Sequence, residues 1–166
     1  FETGWAQDEI KYAKRPILEE AYVIGWFYKN RLASMIVVYN MKMNVYDNIM
    51  DMGGITGVAT YPEYAGRGLI HSLVRRVLSY MNKQELPISF LCPYSIPFYR
   101  KMGWEICSDK LSFNVKDTQL PKPRPVTGMV ERVSLDSEDY HNVHNYFAYQ
   151  RHGCMIRDAL SWEEYW

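Results

Sequence analysis

Two runs of β-branched, aliphatic and aromatic residues, EAYVIGWFY (20–28) and RLASMIVVY (31–39), are separated only by Lys29-Asn30. That spacing predicts a β-hairpin, with Asn30 accepting a positive φ at the turn. MKMNV (41–45) continues the second strand in alternation, and Tyr46-Asp47-Asn48 predicts the next reversal. NIMDMGGITGVATY (48–61) reads as a third strand, whose three internal glycines predict a bulge or the close approach of a ligand or another backbone. The period then changes. From Gly68 to Lys83, Leu69, Ile70, Leu73, Val74, Val77, Leu78 and Met81 recur in steps of three and four, leaving Arg75, Arg76 and Ser79 on the other side. This predicts an amphipathic helix. PISFLCP (87–93) predicts a short strand buried in a sheet, with Cys92 in the core. SIPFYRKMG (95–103) predicts a short helix with Ser95 as N-cap, Pro97 in the first turn and Gly103 as the stop. WEICSDKLSFNV (104–115) predicts one or two closing strands.

The pattern breaks at DTQLPKPRPVTG (117–128), which has three prolines and no apolar periodicity, as a linker would. Beyond it MVERVSL (129–135) predicts a strand, and DSEDYHNVHNYFAYQ (136–150) a helix entered through Asp136 or Ser137. Ser161 with Glu164 has the spacing of a capping box, predicting that a last helix starts there. The expected organisation is a mixed α/β domain over residues 1–118, a linker over 119–128, and the start of a second unit over 129–166. Beginning at Phe1 and stopping as a helix opens, the sequence reads as a piece of a larger polypeptide.

Composition narrows the function classes. Equal numbers of basic and acidic residues (19 each) provide no electrostatic footprint for nucleic acid or an anionic membrane. No apolar run approaches a membrane span, and no basic stretch precedes an apolar one at the start. Cys92, Cys107 and Cys154 are odd in number and far apart, which argues against a disulfide framework or a zinc site and for reduced thiols in the cytoplasm. His141 and His144, three apart, lack an evident third ligand and are expected on a solvated helix face.

The chemistry is expected at the third strand's exit, VATYPEYAGRGLIHSL (58–73). Unpaired N–H groups at a helix N-terminus, with the positive end of its dipole, form an anion site. Glycines just before the helix let phosphate approach the backbone without a Cβ in the way. Gly66-Arg67-Gly68 fits such a cradle, with Arg67 adding charge. It lacks the Gly-Lys-Ser/Thr of a P-loop and the spacing of a dinucleotide fingerprint. Taken alone, it describes a glycine-rich turn with no ligand before it describes a binding site.

GVATYPEYAGRGLIHSLVRRVLSYM resembles the acetyl-coenzyme A signature of the GNAT N-acetyltransferase superfamily, and FLCPYSIPFYRKMGWE is similar to its next strand and helix. The two motifs, in order, cover residues 53–105. The match is closest to the Eis-like (enhanced intracellular survival) branch, where the glycines run into Leu-Leu or Leu-Ile and a tyrosine follows in FYxxxG. Two positions depart from the general pattern: Ala65 stands where the loop has its first basic residue, and Ile70 where it has a small one. The superfamily's first strand and first helix belong before Phe1, with AQDEIKYAKR (6–15) as the tail of that region.

The resemblance implies a mixed, mostly antiparallel sheet flanked by helices, with a splayed strand near GGITG at the acetyl-coenzyme A slot. It implies that the backbones of Val58, Ala59 and Thr60 run along the pantetheine arm, and that Ala65, Gly66, Arg67, Gly68, Leu69 and Ile70 wrap the pyrophosphate. A backbone N–H at Val58 would polarise the thioester carbonyl, and Tyr99 would protonate the departing thiolate. Asp51 is a candidate for binding a cationic amine. The implied reaction is direct acetyl transfer from acetyl-coenzyme A, without a metal, to a primary amine of aminoglycoside, polyamine or lysine type. The resemblance implies a general base outside this chain and a protein that forms homo-oligomers, trimers or hexamers. A non-catalytic acyl-coenzyme A scaffold is the alternative.

Overall fold

The hairpin that opens the sheet turns where Lys29 and Asn30 both take positive φ (47° and 61°), the type I′ geometry that matches strand twist. The computed structural model describes residues 6–109, 111–122, 124–125, 127–128, 131–134 and 137–164. A helix, α1 (Gln7–Glu20), precedes β1 (Tyr22–Tyr28) and the long β2 (Arg31–Val45). A second tight turn, with Tyr46 and Asp47 again at positive φ (48° and 66°), leads into β3 (Asn48–Thr60). The chain then passes through a 3₁₀ turn (Pro62–Tyr64) into α2 (Leu69–Lys83), β4 (Ile88–Leu91) and the short α3 (Ile96–Arg100). The sheet order is β1-β2-β3-β4, antiparallel except for the β3–β4 pair, which is parallel. This is the mixed, mostly antiparallel, helix-flanked sheet expected from the sequence.

One face of the sheet is covered by α2. Leu73, Val74, Val77 and Met81 bury against Ile36 and Val38 of β2 and Ile55 of β3, with Tyr22 and Ile24 of β1 packed around them. Burial of apolar area at roughly 25 cal/mol per Å² is what holds a helix on a sheet. Adjacent glycines mark the two faces: a Cβ on Gly53 would meet Met81 of α2, and one on Gly54 would meet Met41 on the opposite side.

After the proline-rich stretch come α4 (Glu138–Tyr149), β5 (Met155–Ile156) and α5 (Ala159–Glu164). β5 pairs with Lys42 and Met43, on the edge of β2 that β1 leaves open beyond Val38. The buried Asn44 side chain ties this segment down, donating to the carbonyls of Ala148 (3.2 Å) and Tyr149 (2.8 Å) at the end of α4.

Several local expectations change. Residues 104–109 and 111–115 form no strand, so β4 is an edge strand and only half-buried. Cys92, just past its end, is exposed rather than core. The strand expected over 129–135 falls partly outside the described residues, and 131–134 are not extended into a ladder. The last helix starts three residues earlier than a Ser161 cap would place it, because Asp158 caps it: its Oδ1 accepts from the Ser161 N–H at 2.8 Å. His141 and His144 are not on a solvated face. Both lie against Trp162 of α5, with ring centroids at 4.4 and 4.9 Å.

Candidate functional site

The site is built where β3 and β4 part. Their parallel pairing runs from Met52↔Ile88 to Ile55↔Leu91 and stops there, while β3 continues to Thr60. Along β2 the register also breaks: Val37 faces Thr56 and Met35 faces Ala59, leaving one extra residue on β3. Gly57 supplies the bulge, with φ of 55°, and a Cβ there would sit 2.9 Å from Cγ2 of the buried Val37. A bulge bends its strand and unpairs backbone groups. Gly57 and Val58 therefore have ladder partners on neither side among the described residues.

Past the bulge the strand is pinned again. The buried Ser34 hydroxyl donates to the Ala59 carbonyl (3.0 Å) and lies 2.8 Å from the Thr60 hydroxyl, and the Tyr61 N–H donates to Ala33 (3.0 Å). Sequence reasoning missed Ser34. A serine inside an apolar strand, opposite a threonine, was the signal available.

Next comes the loop. Gly66 and Gly68 adopt positive φ of 72° and 74°, and Gly68 is the N-cap of α2. No heavy atom lies within 4 Å of where a Cβ would stand on either glycine. These glycines are therefore required by backbone conformation, not by packing within the chain. The first helical bond runs from the Ser72 N–H to the Gly68 carbonyl (3.2 Å). Among the described residues the N–H groups of Leu69, Ile70 and His71 have no acceptor, and the first turn holds no acidic residue. Arg67 folds back: its Nη2 donates to the Glu63 carbonyl (3.0 Å), and its guanidinium lies 5.4 Å from the Tyr64 ring centroid. It braces the loop and leaves the mouth of α2 open and positive. Ile70 turns its side chain to the core, which explains why a bulky residue stands at the helix start.

Tyr99 lies in α3, just beyond the end of β4, so it shares the carboxyl-terminal end of the two parallel strands with the bulge and the loop. Its side chain is buried, edge-on to Phe98 (5.2 Å) and Trp104 (6.4 Å). It faces a cavity of about 170 Å³ that it shares with Ser89, Phe90 and Leu91 of β4. Burial, and secondarily Tyr94, pushes its pKa above the ordinary tyrosine value. The phenol is thus held protonated at neutral pH, as a proton donor must be. Trp104 locks the region: its Nε1 donates to the Ser89 hydroxyl (3.2 Å), which donates to the Gly53 carbonyl on β3 (3.1 Å).

Asp51 is not brought to this end. It sits seven residues before Val58, ~23 Å along an extended strand, on the α2 side of the sheet. There its Oδ1 accepts from Lys42 at 2.7 Å. On the other face a second cavity, of about 530 Å³, lies against β2, β3 and β4. Among the described residues no group of His, Cys, Asp and Glu could hold a metal ion, and no helix is long and apolar enough to cross a membrane.

Comparison with known proteins bears on the fold and the family. A probable N-acyltransferase of Enterococcus faecalis V583 is 31% identical over 61% of this chain and 26% of its own, with a TM-score of 0.58. A GCN5-related N-acetyltransferase from Kribbella flavida is 26% identical over 60% of this chain and 26% of its own, with a TM-score of 0.55. The chain spans about a quarter of the length of these two proteins. A predicted acetyltransferase from Clostridium acetobutylicum, solved with acetyl-CoA, shares the fold at 16% identity over 69% of this chain and 79% of its own, with a TM-score of 0.56. A search of curated proteins found no significant match. The model of the acetyltransferase (GNAT) domain matches residues 1–107, well over half the chain, and the chain therefore belongs to the GNAT acetyltransferase family.

Proposed function

We propose that this chain binds acetyl-coenzyme A in the cleft between β3 and β4 and, in the intact protein, transfers the acetyl group to a primary amine. The observation that carries this reading is the end of β3–β4 pairing at Ile55 and Leu91, immediately before the Gly57 bulge, with the open mouth of α2 following. An acyl-pantetheine arm is an extended chain of amides, and it needs an unpaired strand edge to run along. Val58, Ala59 and Thr60 present that edge on the β4 side. The coenzyme pyrophosphate then meets Ala65, Gly66, Arg67, Gly68, Leu69 and Ile70, where free N–H groups and the helix dipole favour an anion. Backbone contacts tolerate Ala65 in place of a basic residue.

In the reaction, the neutral amine attacks the thioester carbonyl carbon and the carbonyl oxygen takes up negative charge. A backbone N–H at Val58 stabilises that oxygen, a contribution of ~3–4 kcal/mol per donor. As the C–S bond breaks, the thiolate takes the Tyr99 proton, a step worth ~10²–10⁴-fold; the nitrogen gives up its surplus proton to solvent, and the Tyr99 phenolate is reprotonated from solvent. Holding amine and thioester together in one complex provides much of the remaining acceleration. The Eis-like assignment rests on Leu69-Ile70 after the glycines and on Tyr99 in FYRKMG. The test is calorimetry of acetyl-coenzyme A with the intact protein, followed by thiol release with a panel of amines. Absence of coenzyme binding would overturn the reading.

A further inference from the structure

Tyr99 stands on a helix of five residues whose cap residue, Ser95, makes no side-chain bond to it. A helix that short cannot fix a side chain through its own backbone ladder. Neighbours must hold the phenol ring. Among the described residues three rings touch it, those of Tyr94, Phe98 and Trp104. Tyr94 is 77% exposed and Phe98 lies on α3 itself, so neither ties Tyr99 to the sheet. Trp104 does. Its backbone N–H donates to the Tyr99 carbonyl (3.3 Å), and its ring meets the phenol ring edge-on, at 80°, while packing against the core that α2 covers. The polar end of the indole is fixed as well. An indole N–H can only donate, so the Ser89 hydroxyl accepts from Trp104 and sends its own proton to the Gly53 carbonyl. Gly53 is buried on β3, two residues before Ile55, the last residue paired with β4. One ordered run of hydrogen bonds therefore joins β3, through β4, to the ring that seats Tyr99.

We infer that Trp104 and Ser89 are positioning residues for the proton donor, their link to Gly53 setting how far the Tyr99 hydroxyl stands from the thioester sulfur. The inference rests on the general-acid reading of Tyr99 above. A proton donor must come within about 2.6–3.2 Å of its acceptor, and a misplacement of ~1 Å can cost ~10²-fold in rate. Tyr99 follows β4, whereas the Val58 N–H belongs to β3, so the two groups reach one thioester from opposite walls of the cleft. A bond that crosses between those walls just before they part keeps both in reach. The role of the indole N–H is also separable from that of the ring. Phenylalanine at position 104 would keep the packing and lose only the donor, and the Ser89 proton would still have the Gly53 carbonyl to go to.

The test uses the intact protein with saturating acetyl-coenzyme A and reads thiol release with kanamycin, spermidine and Nα-acetyl-lysine, the fastest acceptor serving for the variants. Trp104→Phe and Ser89→Ala should each lower kcat roughly ten-fold. The Kd for acetyl-coenzyme A, by calorimetry, and the KM for the amine should stay within about two-fold. In a Tyr99→Phe background neither substitution should lower kcat by more than about a further two-fold, because groups that act through one another are not additive. A purely structural loss would instead add to that of Tyr99→Phe. Should Ser89→Ala not fold, Trp104→Phe decides alone. Wild-type kcat in either folded variant overturns the inference, and so does a loss that adds in full to that of Tyr99→Phe or one matched by an equal loss of coenzyme affinity. Wild-type kcat in Tyr99→Phe itself overturns the general-acid reading instead, and no thiol release from the unaltered protein with any of the three amines overturns the acetyl-transfer reading.

Discussion

Ile55 and Leu91 are the last residues at which β3 and β4 face each other, and two residues beyond Ile55 the chain reaches Gly57 at φ 55°. The cleft therefore opens from two causes at one level of the sheet. β4 ends at Leu91, two residues before Pro93, and β3 is bent by an extra residue.

Gly57 is the first place to test this. An alanine there would hold a left-handed backbone, costing ~1–2 kcal/mol, and would press on the fully packed Val37. Gly57→Ala is expected to lower stability by about 2–4 kcal/mol in urea melts and to weaken coenzyme binding with it. Wild-type stability and affinity together would refute the role of the bulge.

Gly68 separates coenzyme contact from packing, because nothing in the chain lies near its absent Cβ. Gly68→Ala should cost ~1–2 kcal/mol of stability through its φ alone. The Kd for acetyl-coenzyme A should rise further, by roughly ten-fold, since the new methyl group meets the ligand. An unchanged Kd by calorimetry would show that the pyrophosphate lies elsewhere.

Tyr99→Phe keeps the ring and its edge contacts while removing the proton. The expected fall in kcat is roughly 100-fold with little change in melting temperature. Because burial raises the Tyr99 pKa, the wild-type enzyme should show no alkaline loss of kcat from this group until above pH 10. Unchanged turnover in the variant excludes Tyr99 as the acid.

Asp51 provides the opposite control. It is exposed, paired with Lys42 and far along β3 from the cleft. Asp51→Asn should leave kcat/KM within about two-fold and change stability by less than ~1 kcal/mol, as for other exposed ion pairs. A large rise in KM for the amine would return it to the acceptor site.

The packing of His144 on Trp162 predicts a pH effect on stability. Burial, and then the nearby Arg157, hold its pKa below the ordinary histidine value. The unfolded chain then binds the proton more readily than the folded one, so this contribution is present above about pH 6.5 and is lost as pH falls below it. Melting temperature should drop between pH 7 and pH 5, and His144→Phe should flatten that drop. An equally steep drop in the variant would place the effect on other groups.

Much of this site was legible in the order of residues. Alternation and two-residue gaps define the β1–β2–β3 meander, the step of three and four defines α2, and glycines placed within and just after β3 announce both bulge and loop. These are local properties, set by φ preferences and by which side of an element is apolar. Other features depended on contacts between distant segments. The cavity walls of Met41 and Met155, the docking of β5 on β2 and the histidines against Trp162 join residues that no spacing relates. The closing strands expected over 104–115 failed for the same reason: a strand exists only when a partner satisfies its backbone, and β propensity alone does not supply one. The sequence by itself determined the β1–β2–β3 meander, α2, the bulge and the glycine turn before α2, because each is encoded within a few consecutive residues. Only the tertiary structure decided where β3 and β4 separate, that Asp51 lies at the other end of β3 from the bulge, and that Met41, Met43, Met52 and Met155 gather on the sheet face opposite α2.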